Sequence, residues 1–346
     1  MLQYTFKTYI FGGVEHYVYG EAYADDTVIS SQAVTFPDSL LSLAYMDIDT
    51  VEPIIQKLND ALWQLTLTQE QQYQQIACTL LDELAPYHIY FQQFRLDWKY
   101  RISRAMIFGQ FTEDILPRKY LYELPETLRR MQTQIMELFK NVLDIDSGTE
   151  TVSQRMAAYY KTAGDHAFHF HPQPVGFELI NDEVFTEVLE PNSIYDLIDY
   201  HLRECVKREV KMRVCKNCGR YFSITGRANT GYCNRPFDSR GRTCKEVGAI
   251  AQWTLSKKDD DVFKDYRREY KKRFARMKAG TLPSQEFYAW SKKAREKKEG
   301  ERRLWERCVN RLRFSTVSIT AAREKRERWL SRSGGLPLLF GSPFSP

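Results

Sequence analysis

The sequence predicts an α+β fold, mainly α, on three observations. Strand-like alternation is confined to the first 36 residues, helical stripes run from about residue 38 to 162, and helical patterns return after residue 190. In detail this is an N-terminal β-hairpin plus a helical domain, then a treble-clef-like cysteine knuckle and basic helices.

The opening segment alternates Leu2, Tyr4, Phe6, Thr8 and Ile10 with the opposite face. Gly12-Gly13 supplies a hairpin turn, and Val14, His16 and Val18 resume the alternation. His16 reads as a partly buried strand residue. Three stripes then mark helix faces turned to a core: Ile54, Ile55, Leu58, Leu62 and Leu65; Tyr73, Ile76, Leu80 and Leu84; and Leu128, Met131, Ile135, Leu138, Phe139 and Val142. Residues three and four apart share a helix face, so such stripes are packing surfaces rather than cofactor sites. The loop Asp144–Gly148 closes the third.

Residues 165–180, DHAFHFHPQPVGFELI, read as extended chain with a Pro-containing turn. In a strand His169 and His171 would share one face and Phe168 and Phe170 the other. A His-x-His pair can bind metal, but this alternation favours a half-buried strand with its histidines in solvent. A helix over 192–209 is capped by Asn192 or Ser193, with Asp196 in its first turn. Its apolar face carries Ile194, Leu197, Ile198, His201, Leu202 and Cys205, which makes His201 and Cys205 core residues rather than a catalytic pair.

Length suggests two domains with helical extensions. The boundaries fall at 1–190 (an acidic α+β domain), 191–256 (a helix plus the cysteine knuckle), 257–332 (a basic helical extension) and 333–346 (a flexible tail). Charge follows the same division. Residues 1–200 hold 13 Lys and Arg against 29 Asp and Glu, net −16. Residues 201–346 hold 37 against 16, net +21, and the two give the chain its +5. Such asymmetry points to a polyanion, DNA or RNA, as partner of the basic half. It also implies intramolecular contact between the acidic and basic halves. The plainer account is a set of long solvated helices rich in Lys and Arg. No apolar run reaches the length of a membrane span. The start, MLQYTFKTYIFGG, lacks a basic region followed by an apolar core, so the expectation is a cytoplasmic protein without a membrane partner.

Seven cysteines are present, and four of them lie within 30 residues: Cys215-x2-Cys218, then Cys233, then Cys244. Cys78, Cys205 and Cys308 are scattered. Clustered cysteines without a secretion signal point to metal rather than disulfides. In Cys215-Lys-Asn-Cys218-Gly219 a tight turn aims both thiolates inward, and Gly219 provides the permissive backbone after the second ligand. Cys244 opens a helix over Thr243–Leu255, where the helix dipole favours a thiolate. The predicted cofactor is therefore a structural zinc ion held by Cys215, Cys218, Cys233 and Cys244. An iron–sulfur centre is the alternative use of four cysteines, and a redox Cys-x-x-Cys is the alternative use of the first pair. The spacing from Cys233 to Cys244 is longer than in a usual second Cys-x2-Cys pair.

Beyond the cluster, a helix over Lys258–Lys278 places Phe263, Tyr266, Tyr270, Phe274 and Met277 inward. Its other faces carry Lys264, Arg267, Arg268, Lys271, Lys272 and Arg276, and Gly280 ends it. Ser284 caps a further helix with Phe287, Trp290 and Ala294 inward and Lys292, Lys293, Arg295, Lys297 and Lys298 outward. Leu304, Trp305, Cys308, Val309 and Leu312 mark another stripe.

The motif Cys215–Phe222, Tyr232-Cys233 and Thr243-Cys244 resembles the CxxCGRYF…YC…TC knuckle of a family of uncharacterised bacterial proteins that carries a domain of unknown function. It more distantly resembles the CGNR-type zinc finger, in which a final cysteine precedes a basic helix. Here Lys245-Glu246-Val247 follows Cys244 in place of that tetrapeptide. The resemblance is firm over about 40 residues and loose over 190–300. It implies DNA binding of the kind found in bacterial transcriptional regulators.

The residues themselves add basic side chains between the cysteines: Lys216, Arg220, Arg227, Arg235, Arg240 and Arg242, with Asp238 the one acid. Lys and Arg neutralise phosphates. The expected function is zinc-dependent nucleic-acid binding, and the rival is a structural zinc module in a protein-interaction protein. No P-loop, HExxH, GxSxG or Rossmann glycine pattern occurs. His166, His169 and His171 with Asp165 are the nearest to a catalytic base, and a four-cysteine zinc leaves no open position for water. The chain is therefore not expected to be an enzyme, and no catalytic residues are assigned.

Overall fold

The structure, a computed structural model, describes residues 3–23, 26–173, 175–180, 182–226, 230–258, 261–296 and 299. It divides into two compact units, residues 1–248 and 249–346. Arg227, Lys297, Lys298, the stripe containing Leu304, Trp305, Cys308, Val309 and Leu312, and the tail at 333–346 lie outside the described residues.

The first unit opens with an antiparallel meander of β1 (Gln3–Phe11), β2 (Val14–Tyr23) and β3 (Asp26–Thr35). The expected turn is present. Gly12 and Gly13 have φ of +60° and +79°, the left-handed region that glycine enters without a Cβ clash. A later hairpin, β4 (Val175–Ile180) and β5 (Val184–Leu189), joins β1 through Thr8 and Leu189. The result is a five-stranded antiparallel sheet in the order β3-β2-β1-β5-β4, larger than a single hairpin. Phe6, Thr8 and Ile10 are buried on one face. Pairing of Thr8 with Tyr17 and Ile10 with Glu15 puts those two on the same buried face, so Val14, His16 and Val18 take the other. His16 is half-buried there, stacked on Tyr9 at 4.7 Å between ring centres.

The helices are α1 (Asp38–Ala44), α2 (Ile48–Thr68), α3 (Gln71–Leu84), α4 (Ile89–Phe108), α5 (Arg118–Leu138), α6 (Val152–Ala163) and α7 (Ile194–Lys207). The first and third predicted stripes are buried in full. The second is displaced: α3 buries Ala77, Leu81 and Leu84, and Ile76 is exposed. The cause is that α3 packs against both α2 and α4, so the face carrying Ala77, Leu81 and Leu84 is the one enclosed. A five-residue π turn, Phe139–Leu143, extends α5 and delivers Asp144 to the knuckle. Residues 167–173 are irregular rather than a strand. They nevertheless separate as the alternation implied, with Phe168 buried and His169 and His171 exposed.

Ser193 caps α7 by accepting from the Asp196 N–H at 3.2 Å. All six residues of its predicted face, His201 and Cys205 included, are buried. Because α7 packs on α1 and α4, it shares one core with the segments that precede it.

After α8 (Cys244–Lys258) in the chain, α9 (Asp261–Lys278) and a helix over 284–296, α10, form a helical hairpin in the second unit turning at Gly280, whose φ is +74°. Ser284 is the first helical residue and not the cap. Pro283 precedes it, and its carbonyl accepts from the Phe287 N–H at 3.1 Å. Tyr266, Tyr270 and Phe274 meet Phe287 and Trp290 with ring centres 5.3 to 6.4 Å apart, and Phe287 is buried. These contacts confirm the aromatic face expected of the helix.

Candidate metal centre

The knuckle is built from two short strands, β6 (Met212–Val214) and β7 (Tyr221–Ser223), joined by the Cys-x-x-Cys turn. Gly219 N–H donates to the Cys215 carbonyl and Cys215 N–H to the Arg220 carbonyl, both at 2.9 Å. The turn requires φ of +71° at Gly219, which explains glycine after the second cysteine.

The irregular second pair has a local explanation. Residues 235–244 double back on themselves: Phe237 N–H donates to the Arg242 carbonyl at 2.7 Å and Cys244 N–H to the Arg235 carbonyl at 3.0 Å. This small loop, turning at Gly241 with φ of +72°, folds away ten residues and brings Cys244 back to Cys233. Cys244 is the first residue of α8 (Cys244–Lys258). Thr243 and Glu246 cap that helix reciprocally, Thr243 N–H to Glu246 Oε2 at 2.7 Å and Glu246 N–H to Thr243 Oγ1 at 3.3 Å.

The four sulfurs of Cys215, Cys218, Cys233 and Cys244 lie within 4.8 Å of one another, and Cys218 and Cys233 are 3.7 Å apart. Three are buried and Cys218 is half-buried. Donors point at the sulfurs: Cys233 N–H lies 3.4 Å from Cys215 Sγ, and Asn217 Nδ2 lies 3.3 Å from Cys244 Sγ. Burial opposes ionisation of Cys215, but backbone N–H groups of Cys218, Cys233 and Asn217 outweigh it and hold its thiol down to about 7. Burial, followed by the neighbouring thiols of Cys215 and Cys244, pushes Cys233 up to about 12. Like charges this close cannot all form unaided, and a cation among them removes the conflict. The four cysteines can therefore hold a metal ion.

Two braces fix the knuckle to the rest of its unit. At one, the Tyr221 N–H donates to Tyr45 Oη at 2.6 Å, and the guanidinium groups of Arg220 and Arg235 lie over the Tyr45 ring at 5.1 and 5.5 Å. Arg235 also donates to the Tyr221 carbonyl. At the other, Tyr221 Oη donates to Asp144 Oδ2 at 3.0 Å, and Arg213 holds Asp146 through two bonds of 2.8 and 2.9 Å. Asn217, inside the Cys-x-x-Cys turn, was discoverable as a donor next to two thiolates. Tyr45, Asp144 and Asp146 lie far away in sequence and carry no local signal.

Of the basic residues expected to contact nucleic acid, Lys216, Arg220, Arg240 and Arg242 are exposed and Arg235 is half-buried, and they differ in what they touch. Arg220 and Arg235 serve the Tyr45 brace. Arg242 is held by Asp238 at 2.6 Å, and the same carboxylate accepts from the Arg240 and Arg242 N–H groups. Lys216 and Arg240 have exposed side chains, and the aliphatic stem of Lys216 runs beside Gly231. The histidines at 166, 169 and 171 are exposed and form no cluster with the cysteines.

A family of unknown function, DUF6076, matches residues 178–305. The matched region takes in the end of β4, then β5, α7, all four cysteines, α8, α9 and α10, and leaves out most of the acidic N-terminal part. No curated protein and no solved structure matches the chain. Among the described residues no helix is long and apolar enough to cross a membrane.

Proposed function

We propose that the chain is a zinc-clamped nucleic-acid-binding protein, in which the metal is structural and the basic C-terminal part engages the polyanion. The observation that carries the metal assignment is the sulfur cluster itself. A tetrahedral zinc with Zn–S bonds of about 2.3 Å separates its sulfurs by about 3.8 Å. Cys218 and Cys233 stand at 3.7 Å, and all four sulfurs fall within 4.8 Å. Four thiolates complete the coordination shell, so the ion clamps the fold and activates no water. A Cys-x-x-Cys turn, a hairpin and a helix bearing the last ligand then form a treble-clef-like unit, in keeping with the CGNR-type resemblance.

Nucleic-acid binding is supported by the net +21 of residues 201–346. The test is fluorescence anisotropy of the purified chain with labelled duplex DNA and RNA at several salt concentrations. Affinity should fall steeply and log-linearly with salt. Absence of binding at low salt would contradict the reading. A second reading, a structural zinc module in a protein-interaction protein, draws support from Arg220, Arg235 and Arg242, which are engaged inside the knuckle. It predicts that same absence.

A further inference from the structure

We propose that phosphates are met by the outward face of α9, and not by the arginines of the cysteine knuckle. This rests on the nucleic-acid reading above and assigns its contact surface. In the knuckle, Arg220 and Arg235 are stacked on Tyr45, and Arg242 is paired with Asp238. Turning Arg220 and Arg235 towards a phosphate would give up their stacking on Tyr45, which braces the knuckle.

On α9 the division of labour is the reverse. Tyr266, Tyr270 and Phe274 are taken up by Phe287 and Trp290. The opposite side carries Lys264, Arg268, Lys272 and Arg276 at successive intervals of four, with Arg267 and Lys271 in the adjoining row. Arg267, Arg268, Lys271 and Arg276 are all exposed. At 1.5 Å rise per residue the main row is about 18 Å long with a cation about every 6 Å. Duplex DNA presents one charge per about 1.7 Å of axis, so the row spans roughly ten phosphates.

The pattern is poor for an isolated helix, because like charges four apart repel. Acids on the same helix supply part of the remedy. Glu269 receives Arg273 at 2.8 Å, and the Arg273 guanidinium lies over Trp290 at 4.7 Å. Thus that acid stands where it locks the packed side, while Asp265, 3.5 Å from Arg268, borders the outer row. A bound polyanion relieves that row's repulsion. The aromatic layer beneath keeps its spacing fixed before binding, which lowers the ordering cost. The row is thereby assigned to the phosphate backbone, the sequence-independent part of such an interface.

The experiment uses the full zinc-loaded chain and a mixed-sequence DNA duplex, with anisotropy across a salt series. The combined variant Arg268→Gln, Lys271→Gln, Arg276→Gln keeps good helix formers, and circular dichroism checks that helix content is retained. Loss of three phosphate contacts should reduce the salt slope by about 2.7 and weaken binding at least about tenfold near 0.1 M salt. The pair Arg240→Gln, Arg242→Gln should bind within about twofold of the parent. Parent-like binding by the α9 variant, with loss in the knuckle pair, would overturn the assignment and leave the nucleic-acid reading standing. Failure of the parent itself to bind would instead remove that reading. If the parent bound anionic vesicles and not duplex, and the α9 substitutions abolished this, the row would be a membrane-facing surface and the proposal would fall.

Discussion

Glu15, Tyr17, Ser39, His88, Tyr90 and His201 are buried together in the first unit, and so, in a separate small cluster, are the four cysteines. Both groups are titratable and both are largely out of water, but they are completed differently. In the first, Tyr17 Oη stands 2.6 Å from Glu15 Oε2 and 3.1 Å from His201 Nε2, while His201 Nδ1 meets the Leu197 carbonyl at 2.7 Å. Ser39 Oγ meets Tyr90 Oη at 2.9 Å, and His88 Nε2 lies 2.8 Å from Ser42 Oγ and 3.0 Å from the Ser39 carbonyl. Burial raises Glu15 to about 8, which favours its neutral form and keeps a proton to share along the Glu15–Tyr17–His201 chain, although Glu15 Oε1 has no partner. The cysteines lack this resource, because thiols are weak donors and acceptors. The contrast teaches that polar burial alone does not mark a ligand site. A cluster whose polar groups mostly pair with one another is core, even with Glu15 Oε1 left unpartnered, whereas one that gathers like acids without a counter-charge can hold a cation.

The comparison breaks most visibly at the cysteines. Cys215→Ser should abolish metal binding and open the knuckle, exposing residues after about 210 to protease, since the free energy of binding structural zinc is folding free energy on the order of 10 kcal/mol. Cys78→Ser, at a half-buried site outside the cluster, should leave metal content unchanged. Limited proteolysis with metal analysis reads both, and a Cys215 variant that keeps its metal contradicts the ligand set.

The buried hydrogen-bonded cluster should instead show itself through pH. Burial raises Glu15 to about 8 from its ordinary 4.5, so its contribution to stability is whole below about pH 4.5 and drains away as pH climbs to about 8. Burial lowers His201 and His88 to about 4 from 6.5, so theirs is whole above 6.5 and is lost as pH falls to about 4. From these groups stability peaks near pH 6.5. Glu15→Gln, already neutral, should remove the decline between pH 6.5 and 8, roughly 2 kcal/mol at about 1.4 per unit. Urea titrations at pH 6.5 and 8 measure it, and an undiminished decline in the variant would show that Glu15 is ionised in the native chain.

Smaller effects sharpen the picture of the braces. Tyr221→Phe removes one buried hydrogen bond to Asp144 and should cost about 1 to 3 kcal/mol with zinc retained. Loss of zinc in that variant would mean that the brace and the metal site are one unit. The surface pair Arg242–Asp238 should contribute at most about 1 kcal/mol, so Arg242→Ala should barely move the urea midpoint.

Much of this was legible in the sequence where the determinant was local. The Gly12-Gly13 turn, the Ser193 cap and the buried face of α7 each depend on residues within a few turns of one another, and the four cysteines fall in a single 30-residue stretch. What escaped depends on chain segments meeting from afar. Glu15 looks like a solvent-facing strand residue until Tyr17 and His201, the latter 184 residues beyond Tyr17, close over it. The displacement of the α3 stripe is set by two neighbouring helices, and the Tyr45 brace joins residues 176 apart. The spacing from Cys233 to Cys244 looked anomalous only because the small loop at 235–244 has no periodic signature.

The most direct measurement is metal content of the purified full chain, by inductively coupled plasma mass spectrometry, with thiol titration before and after chelation. One closed four-cysteine site predicts about one zinc per chain and four thiols that become reactive only when the metal is removed. A chain that carries no metal while those four thiols react freely would contradict the account.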